Sequence, residues 1–195
     1  GITPDIQELI DLGITVVKGE VEETWGELLL DACRDQLKPL YDFLDRKPDI
    51  YSQPLPIVDR KYLNRFIISN FGTIDCSRGC PFNCSFCSII NVQGREMRVR
   101  APERLAESIR ENYRLHRLYF YFFTDDNFAR NLCWREIFKM LIKLREEERI
   151  PLHFMIQVDT QSHKIPGFVE LAARAGCSQV FIGMESMNPQ NLKAV

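Results

Sequence analysis

The sequence predicts an α/β protein in three parts: the tail of one α/β domain over residues 1–36, an interdomain linker over 37–64, and a truncated, TIM-like partial (β/α) barrel over 65–195. Three observations carry this expectation. From residue 65 onward, short apolar runs alternate with amphipathic stretches of helical length. Those runs are apolar at consecutive positions, as parallel strands covered on both faces are. The first 36 residues, by contrast, supply one strand and two helices, too little to cover both faces of that strand.

Residues 3–12 read as a helix, with Thr3 as N-cap, Pro4 at the first position and Gly13 ending it. The β-branched run 14–20 (ITVVKGE) reads as a strand. Residues 22–36 read as a second helix, opening with acids and spacing Trp25, Leu28, Leu29 and Ala32 along one face. Pro39, Pro48, Pro54 and Pro56 then punctuate a stretch that reads as an extended connection. A strand over 65–76 resumes regular structure and runs directly into a group of cysteines. Beyond it the pattern predicts a helix over 102–116 with Leu105, Ile109 and Tyr113 inward, then a strand over 118–124. A helix over 134–148, a strand over 152–158, a helix over 166–176 and a strand over 178–184 follow, with a fourth helix beginning at 188. Four βα units in a row suit the first half of a (β/α) barrel better than a doubly wound sheet.

Composition narrows the function classes. The net charge of −2 gives no general attraction for nucleic acid or anionic lipid, so neither partner is expected. No apolar run approaches the roughly 20 residues that span a bilayer. The acidic start GITPDIQELIDLG lacks the charge pattern and apolar centre of a signal peptide, so a cytoplasmic location is expected. Of seven cysteines, Cys76, Cys80, Cys84 and Cys87 crowd together while Cys33, Cys133 and Cys177 are scattered. A disulfide framework would spread its cysteines to close loops, so the crowding points to metal in a reducing compartment.

The spacing within the group is specific. Cys80-Pro-Phe-Asn-Cys84-Ser-Phe-Cys87 gives C-x₃-C-x₂-C, three thiolates able to wrap one face of a 4Fe–4S cluster and leave one iron open. With Cys76 added, four thiols could instead close a structural zinc site, although such sites more often pair two separated C-x₂-C knuckles. CPFNCSFC resembles the signature of the radical S-adenosylmethionine superfamily, including Phe86 before the last cysteine, and residues 66–192 resemble the first four βα units of that family's partial barrel.

The resemblance implies cofactors and roles. The open iron would be chelated by the amino and carboxylate groups of S-adenosylmethionine. An electron from a donor such as flavodoxin or ferredoxin would then cleave the sulfonium to methionine and a 5′-deoxyadenosyl radical. Asp125, Asp126 and Asn127, ending the second barrel strand, stand where the family binds the methionine amino group, in place of its usual Gly-Gly-Glu. Which aspartate takes that role stays open at this point, and an Asx turn capping the next helix is the bland alternative. Glu185 in GMES stands where similar enzymes contact the ribose, Phe86 beside the adenine, and Gln157 and Asp159 on the same rim. His116, His153 and His163 are scattered and read as surface or rim residues, and Cys76, Cys133 and Cys177 as small hydrophobes.

The run ITVVKGEVEETWGELL resembles the closing strand and helix of the cobalamin-binding domain that precedes many such barrels. That resemblance implies cobalamin as a further cofactor, with methyl transfer or rearrangement on an unknown substrate. A methylthiotransferase is the rival enzyme, but it needs three more cysteines upstream, where only Cys33 clearly lies.

Overall fold

The computed structural model describes residues 6–63, 65 and 71–190, which fall into two compact units divided between Asp49 and Ile50. The Thr3 cap, the first part of the strand expected over 65–76 and the helix expected beyond residue 190 lie outside the described residues.

The first unit runs α1 (Ile6–Asp11), β1 (Val16–Lys18), α2 (Trp25–Cys33) and β2 (Leu40–Asp42). The linker expected over 37–64 therefore carries a strand. β2 pairs parallel with β1, and the ladder is extended by Val16 N–H to the Pro39 carbonyl at 2.9 Å and Phe43 N–H to that of Lys18 at 2.8 Å. Pro39 signals a break in the sequence, yet a proline just ahead of a strand sacrifices no rung of the ladder. Leu28, Tyr41 and Phe43 form a small core, and the Tyr41 hydroxyl donates to Asp31 at 2.6 Å. Trp25, Leu29 and Leu30 of α2 stay exposed, because a single strand pair has too little surface to cover the helix's apolar stripe.

The second unit begins with a short helix, α3 (Arg60–Leu63), and is built on one sheet. In chain order its elements are β3 (Phe71–Ile74), β4 (Ser77–Arg78), α4 (Ile89–Val92), β5 (Arg98–Val99), α5 (Pro102–His116), β6 (Phe120–Phe123), α6 (Trp134–Glu146), β7 (His153–Asp159), α7 (Phe168–Ala175) and β8 (Cys177–Gly183). β3, β6, β7 and β8 lie side by side in that order, all parallel, with one register irregularity between Phe154 and Met155. Strand order following chain order, with a helix in each crossover, is the arrangement of a (β/α) barrel segment. The expected α/β partial barrel is what the chain forms.

Alternation along the strands sorts the faces. Ile74, Tyr121, Phe123, Phe154, Ile156 and Val158 point to the helices and are buried. Leu105 and Ile109 of α5 meet them, as their spacing predicts, together with Ile137, Phe138 and Leu141 of α6 and Phe168 of α7. An aromatic stack of Phe123 on Phe154 (4.6 Å between centroids) continues through Phe128 on Phe138 (5.2 Å) and locks α6 to the sheet. The strand ends that follow Ile74, Phe123, Val158 and Ile182 are thereby brought to one rim. Among the described residues, no helix is long and apolar enough to cross a membrane.

Candidate functional site

The loop after β3 carries the cysteines, and its stem is tied down before the first of them. Asp75 receives both Arg100 (Nε at 3.1 Å and Nη2 at 3.0 Å) and Arg78 Nε at 2.8 Å, and the Arg100 side chain is almost wholly buried. β4 pairs antiparallel with β5, Ser77 opposite Val99 and Arg78 opposite Arg98, so the loop leaves and returns as a narrow ribbon. Gly79 turns the chain at φ +100°, where a Cβ would sit 2.3 Å from the Glu96 carbonyl oxygen. Only glycine fits there. Its N–H donates to Gln93 Oε1 at 2.9 Å, and the Cys80 N–H to the Gly94 carbonyl at 3.2 Å.

Beyond Gly79, Cys80, Cys84 and Cys87 line one cavity of about 460 Å³ together with Phe82 and Phe86. The opposite wall comes from the ends of β6, β7 and β8. Asp126, Asn127, Gln157, Asp159 and Glu185 all reach the same cavity. The structure thus gathers the residues singled out in the sequence, with one exception.

The exception is Asp125. It turns away from the cavity and is buried, accepting from the Cys76 N–H at 2.9 Å and from the Ser77 hydroxyl. In the turn that follows β6 the two carboxyls part: Asp125 is held by the stem of the cysteine loop, while Asp126 lines the cavity. Burial raises the Asp125 carboxyl to about 6, against the lowering effect of its hydrogen bonds. Asp126 lines the cavity, and its Oδ2 is shielded from solvent with no hydrogen-bond partner. Burial raises its pKa as well.

The rim residues differ in how far they are committed. Asp159 is fully engaged: Arg130 Nε and Nη2 reach it at 2.7 and 2.9 Å, Asn127 Nδ2 at 3.0 Å and the Gln161 N–H at 2.7 Å. Burial opposes its charge, but these donors outweigh it and hold the carboxyl below its ordinary range. Gln157 Nε2 donates to the Asp125 carbonyl at 3.2 Å. Glu185 adopts a left-handed backbone (φ +52°) and folds back beside Gly183, leaving its carboxylate exposed at the mouth. Arg130, absent from the sequence expectations, also sets its guanidinium 5.3 Å from the Phe82 ring centroid. No local signal marks it, because both its partners are distant in the chain.

Cys76 is fully buried in the hydrophobic core, and burial raises its thiol well above the ordinary value. It behaves as a core residue, which removes the fourth thiol a closed zinc site would need. His163 engages the Thr160 carbonyl at 2.8 Å and lines a separate groove between α7 and β8.

Three thiols facing an unpartnered carboxylate oxygen across one cavity are a donor set suited to a three-thiolate cluster with a cationic ligand beside it. The Radical SAM superfamily pattern matches residues 74–195, from the last residue of β3 to the end of the chain. The chain belongs to the radical SAM superfamily. This radical SAM chain is 30% identical over 189 residues to the bacteriochlorophyllide d C-12(1)-methyltransferase of Chlorobaculum tepidum, covering 93% of this chain and 39% of that protein. It is 24% identical over 181 residues to the hopanoid C-2 methylase of Rhodopseudomonas palustris, covering 91% and 34%. It therefore spans about two fifths or less of these curated relatives. Among solved structures, the radical SAM fold of the cobalamin-dependent S-adenosylmethionine radical enzyme OxsB matches 99% of this chain and 31% of that one, with a TM-score of 0.73 at 19% identity. The radical SAM methyltransferase TsrM from Kitasatospora setae matches 77% and 29%, with a TM-score of 0.61 at 19% identity.

Proposed function

We propose that the chain is the catalytic part of a cobalamin-dependent radical SAM methyltransferase, with a 4Fe–4S cluster on Cys80, Cys84 and Cys87. One observation carries the reading: three thiols line a cavity whose far wall presents the buried, unpartnered Oδ2 of Asp126. Cys80, Cys84 and Cys87 would hold that cluster, and the chemistry it would supply is one-electron cleavage of S-adenosylmethionine to methionine and a 5′-deoxyadenosyl radical.

The chain's own residues bind, orient and exclude water. Asp126 accepts the ammonium of the methionine moiety and so relieves its unpaired oxygen. Glu185, at the mouth, accepts from the ribose hydroxyls. Phe86 gives the adenine an apolar face, and Phe82 helps shield the cavity from water. Gln157 and Asn127 fix the rim, and Asp159 acts through Arg130 as a tie. A one-electron donor of the flavodoxin or ferredoxin class supplies the reductant.

Methyl transfer is supported by the relatives named above, a bacteriochlorophyllide d methyltransferase and a hopanoid methylase. Cobalamin is supported by the first unit, whose parallel β1–β2 pair and exposed Trp25, Leu29 and Leu30 suit the tail of a larger cobalamin-binding-like α/β domain. The test is anaerobic reconstitution with iron and sulfide, followed by electron paramagnetic resonance of the reduced protein with and without S-adenosylmethionine. A cluster signal that shifts with the cofactor, and is absent from Cys84→Ala, supports the reading. Zinc in place of iron, or a signal indifferent to the cofactor, overturns it.

A further inference from the structure

We propose that Asp125 is a positioning residue, whose carboxylate bolts the stem of the cysteine loop to the end of β6 and so sets the three thiols against Asp126. The inference rests on the reading of the cavity given above.

The argument starts from where the loop is held. β3 and β6 share their last rung where the Thr124 N–H reaches the Ile74 carbonyl at 3.0 Å. After that rung the two chains diverge, one toward Cys80 and the other toward Asp126. The ties described for the stem at Asp75, Gly79 and Cys80 reach Arg100, Gln93 and Gly94, all within the loop or just beyond it. They close the loop on itself. Asp125 instead bonds across the gap, one oxygen taking the Cys76 N–H at 2.9 Å and the other the Ser77 hydroxyl. Its partners lie 49 and 48 residues away in sequence, and the whole contact is buried.

Burying a carboxylate is costly, and a leucine would fill the same space without that penalty. The acid is accounted for by geometry: two acceptor oxygens on one rigid plane satisfy two donors of the stem at once. The next residue faces the cavity, so a single peptide bond joins the group that fixes the thiol loop to the group that faces it. Displacing Asp125 would move both.

The test uses the full chain with Asp125→Ala, Asp125→Asn and Ser77→Ala. In the metal-free protein, alkylation of individual cysteines is followed by mass spectrometry. Losing the bolt is expected to speed modification of Cys76 and Cys80 about tenfold, the worth of one buried hydrogen bond. Cys133 and Cys177, on other elements, are expected to keep their rates. In the reconstituted protein, the spectroscopic shift on adding S-adenosylmethionine is expected to be lost in Asp125→Ala and restored in Asp125→Asn, whose amide still accepts the Cys76 N–H.

Wild-type alkylation and a wild-type shift in Asp125→Ala would overturn the proposal, as would equal acceleration at all cysteines. Should Asp125→Ala not fold, Ser77→Ala decides: a several-fold acceleration confined to Cys76 and Cys80 is expected, and its absence overturns the proposal. A wild-type protein without a cofactor-sensitive iron signal would defeat the reading of the cavity, while the alkylation rates would still decide the role of Asp125.

Discussion

The Arg130 guanidinium holds both carboxylate oxygens of Asp159, at 2.7 and 2.9 Å, while its face lies 5.3 Å from the Phe82 ring centroid. One side chain on the β6–α6 connection thus joins the end of β7 to the loop between Cys80 and Cys84. Arg130→Met would leave Asp159 with Asn127 and the Gln161 N–H alone. The expected cost is about 1–3 kcal/mol, read as a lower urea midpoint. Arg130→Lys is expected to recover only part of it, since an ammonium cannot make the paired contact.

Cys76 and Cys84 are separated by a simple comparison. Cys84→Ala is expected to abolish iron and sulfide binding after reconstitution. Cys76→Ala is expected to keep both at wild-type levels and to lose on the order of 1 kcal/mol of stability from the core. Equal loss of metal in the two variants would instead favour a four-thiol site.

Asp126→Ala is expected to weaken S-adenosylmethionine binding by about 10- to 100-fold, the range for a hydrogen bond to a charged group. Its iron content should be unchanged, because Asp126 is proposed to face the cofactor. Calorimetric titration of the reconstituted protein measures the first, and iron analysis the second.

Two carboxyls give the metal-free chain opposite pH dependences. Asp125, raised by burial to about 6, binds its proton more tightly folded than unfolded. Stability is therefore highest below about pH 4 on its account and falls as pH rises to about 6, by on the order of 3 kcal/mol. Asp159 is shifted downward, so its contribution is present above the unfolded carboxylate range and fades as pH falls through its folded value. Urea midpoints between pH 3 and 7 should resolve the two windows, and Asp125→Asn should shrink the upper one, to which Asp126, also raised by burial, contributes in the same direction.

Much of this was legible in the sequence because it depends on local pattern. The helix expected over 102–116 is observed as Pro102–His116, since Pro102 marks its start and Leu105 and Ile109 its buried face. The strands at 118–124 and 178–184 were readable from consecutive apolar residues. What escaped was set by distant partners. β4 and β5 are two residues each, apolar only at Val99, and held in register by Asp75 and Arg100, 25 positions apart. The opposite facing of Asp125 and Asp126 depends on Ser77 and Cys76, which no window around residue 125 contains. β2 was hidden by its length of three residues and by the proline ahead of it.

The aromatic and branched residues of β8 bear on handling. Val180, Phe181 and Ile182 are about half exposed, and among the described residues no strand pairs with the outer edge of β8. An unpaired apolar edge of this kind is a template on which other polypeptides add by backbone pairing. Concentrated preparations of this 195-residue chain would therefore be expected to self-associate through that edge, and a lysine in place of Val180 should keep them dispersed.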